Sequence, residues 1–362
     1  MRVTLLAPLI APLRSSQAGG AEAVLCDLAR GLHRAGEAVE LVAPRGSRVP
    51  GVPLRLGPTA AIPEARHRFD APPRLAPGAP WPPPLAPAYL RLAAELAADR
   101  DQVIHSHALD WPAFYATAAT GLRCLHTLHL GPVDPATVAA AQAAAACRPR
   151  PRFAAVSRSC AAQWRPLIPV DAVVPNGVDP GAIRFVPRAS ADDLAVVAGR
   201  ISPEKGTHLA LAACRRAGMR VLMAGEVYDR HYFDERIAPR LDDDAVRWLG
   251  AVSRRGLGAL LGRAAVAVVA SVWEEPFGMV ALEANLAGTP VAGFRRGALP
   301  EVVGRSGGVL ADEVGVAALA AAITAARRCD RARARRAAET RFPLEAMVNA
   351  YRRLYRRLGQ DG

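Results

Sequence analysis

The chain has 362 residues, 51% of them apolar, 22% charged and 5% aromatic, with a formal net charge of +13. That length accommodates two domains with cores of their own, and without an apolar stretch of about 18 residues no helix of it spans a membrane. Lys and Arg number 46 and Lys205 is the single lysine, so the charge follows an arginine-rich composition. It is no nucleic-acid signature by itself: neither zinc-finger spacing nor the aromatic-plus-basic strand of an RNA reader occurs. The six cysteines (26, 124, 147, 160, 214 and 329) form no C-x-x-C pair and read as buried thiols of a reducing compartment.

"RVTLLAP" (2–8) predicts a strand, because prolines interrupt the apolar run that otherwise mimics a signal peptide. "GGAEAVLCDLARGLHRAG" (19–36) predicts a helix ending at a glycine, and "AVELVAP" (38–44) the next strand. Residues 44–87 hold 13 of the 31 prolines, which excludes a regular element there and predicts long loops over an open face. "QVIHSH" (102–107) and "CLHTLHL" (124–130) are further strands, followed by an Ala-rich helix and "RFAAVS" (152–157). A second series follows "VVPNGVDP": "LAVVAGR" (194–200), a helix near 206–217, "RVLMAG" (220–225), "VRWLG" (246–250), "AVAVVAS" (265–271), a helix from Pro276, and "TPVAGF" (289–294). Two runs of β-α repeats joined near 180–192 imply two doubly wound parallel sheets facing a cleft.

Four stretches carry chemistry. In "GRISPEKG" (199–206), Arg200 ends a strand and Lys205 precedes Gly206, where the backbone can turn close to a ligand. Two cations five residues apart fit a diphosphate, Arg as a fork and Lys as a point charge. In "EEPFGMVALEANLAGTPV" (274–291), Pro276 suits a first helical position, with Glu275 at the turn and Glu283 two helical turns on. One carboxylate would then face a reacting sugar and the other a ribose diol. His105, His107, His126 and His129 lie within 25 residues, His105 and His107 on one strand face. With no carboxylate at ligand spacing they read as hydrogen-bonding groups at a cleft rim, His105 and His126 alternatively as core. Gly19 and Gly20 open the first helix as a loop whose amides can approach a phosphate; a G-x-G-x-x-G fingerprint is absent. Two basic segments remain: "RRCDRARARRAAETR" (327–341) reads as a solvated helix face, with anionic lipid or polyanion contact the alternative. The last helix stripes Met347, Tyr351, Leu354, Tyr355 and Leu358 on one side, for docking onto protein or, alternatively, onto a membrane.

Taken together, "GGAEAVLCDLARGLHRAGEAVELVAP", "QVIHSH", "TLHL", "AVSRS", "VVPNGVD", "GRISPEKG", "VRWLGAV", "EEPFGMVALEANLAGTPV" and "GALPEVV" resemble the retaining nucleotide-sugar glycosyltransferases of family 4. The resemblance implies the α/β GT-B fold: two doubly wound Rossmann-like domains facing a cleft. Residues 1–185 would bind the acceptor and 186–342 the nucleotide sugar, with a helix over 343–362 packing back on the first domain. It implies catalytic roles for Glu275, Lys205, Arg200 and His107, and donor contacts from Gly20, His129, Phe277, Gly278, Met279, Val280 and Glu283. "RRGA" before "LPEVV" departs from the glycine-rich stretch usual there. The implied activity moves a hexose-type sugar from an NDP-sugar, a UDP-sugar foremost, to a small-molecule acceptor such as a natural product. It would use no cofactor, metal or nucleic acid and would act in the cytoplasm. The alternative is a peripheral-membrane transferase of envelope or lipid-linked glycan assembly at the membrane's inner face. A polyanion-binding protein without turnover is the non-enzymatic reading.

Overall fold

Strands that read as continuous Val, Ile, Leu and Ala runs are suited to burial on both faces, the situation of a parallel sheet flanked by helices. The computed structural model describes residues 1–9, 11–14, 20–57, 85–99, 101–242 and 244–360. The first half contains β1 (Arg2–Leu6), α1 (Gly20–Arg34), β2 (Ala38–Pro44), β3 (Leu54–Gly57), α2 (Leu85–Ala97), β4 (Val103–Ser106), α3 (Trp111–Thr120), β5 (Cys124–Leu128), α4 (Pro135–Ala146), β6 (Arg152–Ala155), α5 (Arg158–Trp164) and β7 (Ala172–Val173). Its seven strands lie in the order β3-β2-β1-β4-β5-β6-β7, all neighbours parallel.

The second half contains β8 (Leu194–Ala198), α6 (Thr207–Arg216), β9 (Arg220–Ala224), α7 (Arg230–Tyr232), β10 (Val246–Trp248), α8 (Arg254–Arg263), β11 (Val266–Val269), α9 (Met279–Ala287), β12 (Val291–Phe294), α10 (Leu299–Val303), β13 (Gly308–Ala311), α11 (Val316–Ala326), α12 (Arg331–Arg341) and α13 (Leu344–Gln360). Six strands pair in parallel as β10-β9-β8-β11-β12-β13. In each sheet the order reverses beside the first strand, between β1 and β4 and between β8 and β11. Such a switch point opens a crevice at the carboxyl ends of the strands. The two carboxyl edges meet: Ser157 Oγ, past β6, donates to the Pro276 carbonyl, past β11, at 2.6 Å. Glu301 of α10 accepts the amides of Arg158 and Ser159 at the start of α5, at 3.0 and 2.7 Å.

After α12 the chain returns to the first half. α13 packs on α1, where a Cβ on Gly31 would come within 2.5 Å of Val348. Met347, Tyr351 and Tyr355 are at most 2% exposed there, and Arg352 donates to Glu37 at 2.7 Å. Met347, Tyr351 and Tyr355 of the apolar stripe are thus covered by protein, and Leu354 and Leu358 are partly buried against the same core, as the docking reading expects.

Three readings change. A strand, β3, lies inside the proline-rich segment; it occupies a sheet edge, where Pro53 contributes only a carbonyl, to Leu41 N at 2.9 Å. Pro87 falls in the first turn of α2, where its missing N–H has no helical carbonyl to meet. Residues 58–84 lie outside the described residues, as does Gly19. The basic run on α12 is no uniform solvated face. Arg331 donates to the carbonyls of Val186, Ala264 and Gly262 (2.7–2.9 Å) and to Thr289 Oγ1 at 2.9 Å. Arg335, one helical turn on, donates to the carbonyls of Pro180, Ile183 and Leu286. Arg341 donates to those of Glu301 and Val302. A guanidinium has five N–H donors in a fixed fork, so it suits a cluster of orphaned carbonyls as well as an anion.

Candidate active site

The residues singled out gather at the two switch points. Gly20 opens α1 after β1, with φ +77°, and His107 follows β4. Arg200 and Lys205 follow β8, and Glu275 follows β11. Strand β8 ends at Ala198, so Arg200 stands two residues beyond it: Gly199 and Gly225 pass so closely that a Cβ on Gly225 would sit 1.8 Å from the Gly199 carbonyl. Arg200 pairs with Glu204 at 3.6 Å, and its guanidinium lies 5.0 Å over the Tyr228 ring. Lys205 closes the short turn Pro203–Lys205. The next residue, Gly206, has φ +62°, and a Cβ there would meet the Ala270 carbonyl at 2.1 Å. Only glycine brings this loop so near the end of β11.

That approach delivers Lys205 to Glu275. Its Nζ donates to Oε1 at 3.0 Å and to Oε2 at 2.8 Å, and lies 5.0 Å over the Trp273 ring. Ser271 Oγ and Trp273 Nε1 donate to Oε2 at 2.7 and 3.1 Å. Burial pushes the Glu275 pKa up; the Lys205 charge and the Lys205, Ser271 and Trp273 hydrogen bonds together outweigh it and hold the carboxyl below its ordinary value. Glu275 is therefore a carboxylate with both oxygens occupied. Ser271 and Trp273 were not anticipated; the signal was a hydroxyl and an indole N–H within four residues of a buried acid.

Helix α9 begins at Met279 and not at Pro276, because Gly278 adopts φ +92° as its N-cap. A Cβ at Gly278 would lie 2.8 Å from Leu299. The amides of Met279 and Val280 then open the helix, where no preceding turn can satisfy them. The Phe277 ring packs edge-on against Phe342, 5.5 Å between centroids, so only its backbone is left for the cleft. In the "RRGA" stretch, Gly297 N donates to Glu274 at 2.8 Å, and Arg296 pairs with Glu274 at 3.6 Å.

Glu283 does not join the Glu275 cluster. Arg254, opening α8, donates to Glu283 Oε1 at 3.2 Å and, through Nη1, to Asp27 Oδ2 on α1. One guanidinium thus ties the two halves of the chain. Burial raises the Glu283 pKa against the opposing Arg254 charge and hydrogen bond, and Oε2 is buried without a partner among the described residues, as is Arg254 Nη2. Asp27 and Arg254 had not been singled out in the sequence.

The histidines do assemble. His107 Nδ1 meets His129 Nε2 at 2.8 Å, and His107 Nε2 meets His105 Nδ1 at 3.3 Å. Burial depresses all four pKa values, those of His126 and His129 to about 3, so the rings are neutral at physiological pH. His126 stacks on Phe153 and contacts Thr117 at 3.2 Å, which makes it a core residue. Beyond His107, Asp110 accepts from Tyr89 at 3.1 Å, and burial lifts its pKa to about 7. Among the described residues no His, Cys, Asp and Glu side chains converge as a metal cage.

Residues 18–182 match the model of Glycosyltransferase Family 4, and residues 182–341 that of the glycosyl transferases group 1. The glycogen synthase of Mycobacterium tuberculosis is 38% identical over 160 residues, 42% of this chain and 38% of that protein. The chain thus spans well under half the length of that curated relative. AviGT4, a glycosyltransferase involved in avilamycin A biosynthesis, is similar over 100% of this chain and 98% of its own, with a TM-score of 0.68 at 24% identity. Anabaena HepE in complex with UDP-glucose matches 98% of this chain and 99% of its own, with a TM-score of 0.73 at 18% identity. Two family models in tandem from residue 18 to residue 341, and solved structures that overlay both parallel sheets, establish that this chain belongs to glycosyltransferase family 4 and has the GT-B fold.

Proposed function

We propose that the chain moves a hexose-type sugar from a nucleoside diphosphate, with UDP the leading nucleotide, to a hydroxyl of a small molecule, with retention and without a divalent metal. The observation that carries this reading is the Lys205–Glu275 pair at the second switch point. An ammonium has three N–H donors. Two are given to Glu275; the third has no hydrogen-bond acceptor among the described residues and would meet a phosphate oxygen beside the α9 N-terminus and Arg200. When the anomeric C–O bond breaks, its electron pair moves onto the diphosphate. Lys205, Arg200 and the α9 amides stabilise that charge more in the transition state than before it. The acceptor oxygen bonds to the same face, and its proton passes to the departing phosphate oxygen. Glu275, held by three side chains, keeps the ammonium in place and is poorly free to act as a nucleophile. His107 and His129 would contact the sugar as neutral rings, and Glu283 the ribose. Residues 1–185 would supply acceptor contacts and 186–342 donor contacts. The avilamycin transferase and the UDP-glucose complex of HepE support the acceptor class and the nucleotide, respectively.

The test is a panel of NDP-sugars read by thermal stabilisation and by slow hydrolysis, since a bound donor raises the melting temperature by mass action. Stabilisation by a UDP-sugar is expected. No response to any donor overturns the reading, an inverted anomeric product overturns retention, and loss of turnover in EDTA overturns metal independence.

A further inference from the structure

Helix α13 ends its run across the first sheet with two phenols against the histidines. Tyr355 Oη lies 2.7 Å from His105 Nδ1. His105 Nε2 lies 2.7 Å from Thr127 Oγ1, which in turn lies 2.9 Å from Tyr351 Oη. His105 Nδ1 also faces His107 Nε2, and His107 Nδ1 faces His129 Nε2. No member of this chain is more than 6% exposed, so solvent does not step between its groups.

A neutral imidazole has one N–H and one lone pair, so choosing the proton at one ring fixes its neighbours. A phenol is the stronger acid and the imidazole nitrogen the stronger acceptor, so Tyr355 donates to His105 Nδ1. The His105 proton then sits on Nε2 and is donated to Thr127, whose hydroxyl donates to Tyr351. The single Nδ1 lone pair is shared with His107 Nε2–H as the longer, weaker limb of a three-centre contact at 3.3 Å, and His107 Nδ1 in turn accepts from His129 Nε2–H. His129 is left with a bare Nδ1 that has no protein partner among the described residues and is not sealed in the core. Its ring stands one residue past β5, on the carboxyl edge that faces the second sheet.

We infer that Tyr355 is a positioning residue for transfer: through His105 and His107 it fixes His129 as the acceptor of a hydrogen bond from a hydroxyl of the bound sugar. The inference rests on the proposed reading that the cleft holds a hexosyl donor. It makes the last helix, remote in sequence, part of sugar recognition.

Two measurements on the full chain test it. With histidine labelled by nitrogen-15, long-range proton–nitrogen spectra report each tautomer. Wild-type His129 protonated on Nε2, with a changed or mixed pattern in Tyr355→Phe, is expected. His129 protonated on Nδ1, or a pattern unmoved by the substitution, overturns the relay. The wild-type assignment decides even where the variant fails to fold. The second arm uses UDP-glucose and its 2-, 3-, 4- and 6-deoxy forms. Tyr355→Phe should lower kcat about tenfold with UDP-glucose, the scale of one hydrogen bond. With the one deoxy donor that lacks the hydroxyl held by His129, variant and wild type should turn over alike. The same penalty with every deoxy form marks a merely structural tyrosine and overturns the inference. Absence of wild-type turnover with any nucleotide sugar instead refutes the proposed activity, and the spectra still decide the relay.

Discussion

Replacing Lys205 separates its two roles, and the structure sets the size of each effect. In Lys205→Ala the Glu275 carboxylate, 7% exposed, keeps only the Ser271 and Trp273 donors. Removing one partner of a buried ion pair costs about 3–5 kcal/mol, and the 21% exposure of the lysine side chain places this case near the lower end. The pH dependence has a definite sign. Wild-type Glu275 has a lowered pKa, so its contribution is present above the ordinary carboxylate range and is lost as pH falls through the lowered value. In the variant, burial is opposed by two neutral donors alone, and the pKa rises. The carboxyl then takes up a proton on mild acidification and escapes the penalty. Urea unfolding of both proteins at pH 7 and near pH 5 should therefore show the larger stability difference at pH 7. A difference that does not change with pH refutes the electrostatic account.

Activity reads the second role. Lys205→Ala should lower kcat/KM by roughly 10²-fold, the scale of one lost charge contact in the transition state. Lys205→Arg is the sharper variant. Its planar fork can grip both Glu275 oxygens and recover most of the stability, but its remaining donors lie in the plane of that grip. Its kcat should remain depressed while its unfolding midpoint approaches wild type. An arginine variant with near-normal turnover would remove the argument from the third N–H.

Acid sensitivity should be steep: His105, His107, His126 and His129 have folded pKa values below 6.5, so their stability contribution is intact above that pH and falls as pH drops towards about 3. Asp110, raised from 3.8 to about 7 by burial, acts in the opposite sense as one group against four; melting temperatures that stay flat from pH 7 to pH 5 would contradict it. Arg331→Lys should destabilise by about 2–4 kcal/mol in urea unfolding, because an ammonium cannot reach all of its acceptors; a neutral outcome would show that those carbonyls find water. Glu283→Ala should raise the donor KM about tenfold with kcat nearly unchanged, as loss of uniform binding does, and a fall in kcat alone would move Glu283 out of ribose contact.

The fold was legible because both sheets are parallel: strands buried on two faces read as unbroken apolar runs, and helices such as α3 and α9 stop at a left-handed glycine, Gly121 and Gly288. Lys205 was legible as the one departure from arginine, and Glu275 through its spacing from Glu283. What remained hidden was pairing across long sequence separations. Arg254 and Asp27 are 227 residues apart, and Tyr355 and His105 are 250 apart, so no local period links them. The start of α9 was misplaced because Pro276 gives the stronger local signal, while the left-handed turn at Gly278 follows from packing against Leu299. The role of α12 was masked by composition, since an arginine among 45 others of its charge class carries no information about what its fork will meet.

That masking bears on how the two halves are joined. Arg331 and Arg335 fasten the carbonyls of Pro180, Ile183 and Val186 to those of Gly262, Ala264 and Leu286. The connection after residue 180 therefore belongs mechanically to the second sheet, although sequence alone would leave it as a linker. The chain crosses between halves just before this clamp and again before α13, and the two crossings lie side by side. Val178 N donates to the Phe342 carbonyl at 3.1 Å, and Leu344 N donates to the Val178 carbonyl at 3.0 Å. A bend within 180–186 would strip a guanidinium of several acceptors at once. Opening the cleft then also requires release of Asp27 from Arg254 and of the α5 amides from Glu301, contacts that lie away from the bridge. Arg254 holds Glu283 with the same guanidinium, so a ligand that takes over Glu283 alters the contact joining the two halves. On the proposed ribose contact of Glu283, donor occupancy would thereby act on the Arg254 link between the two halves.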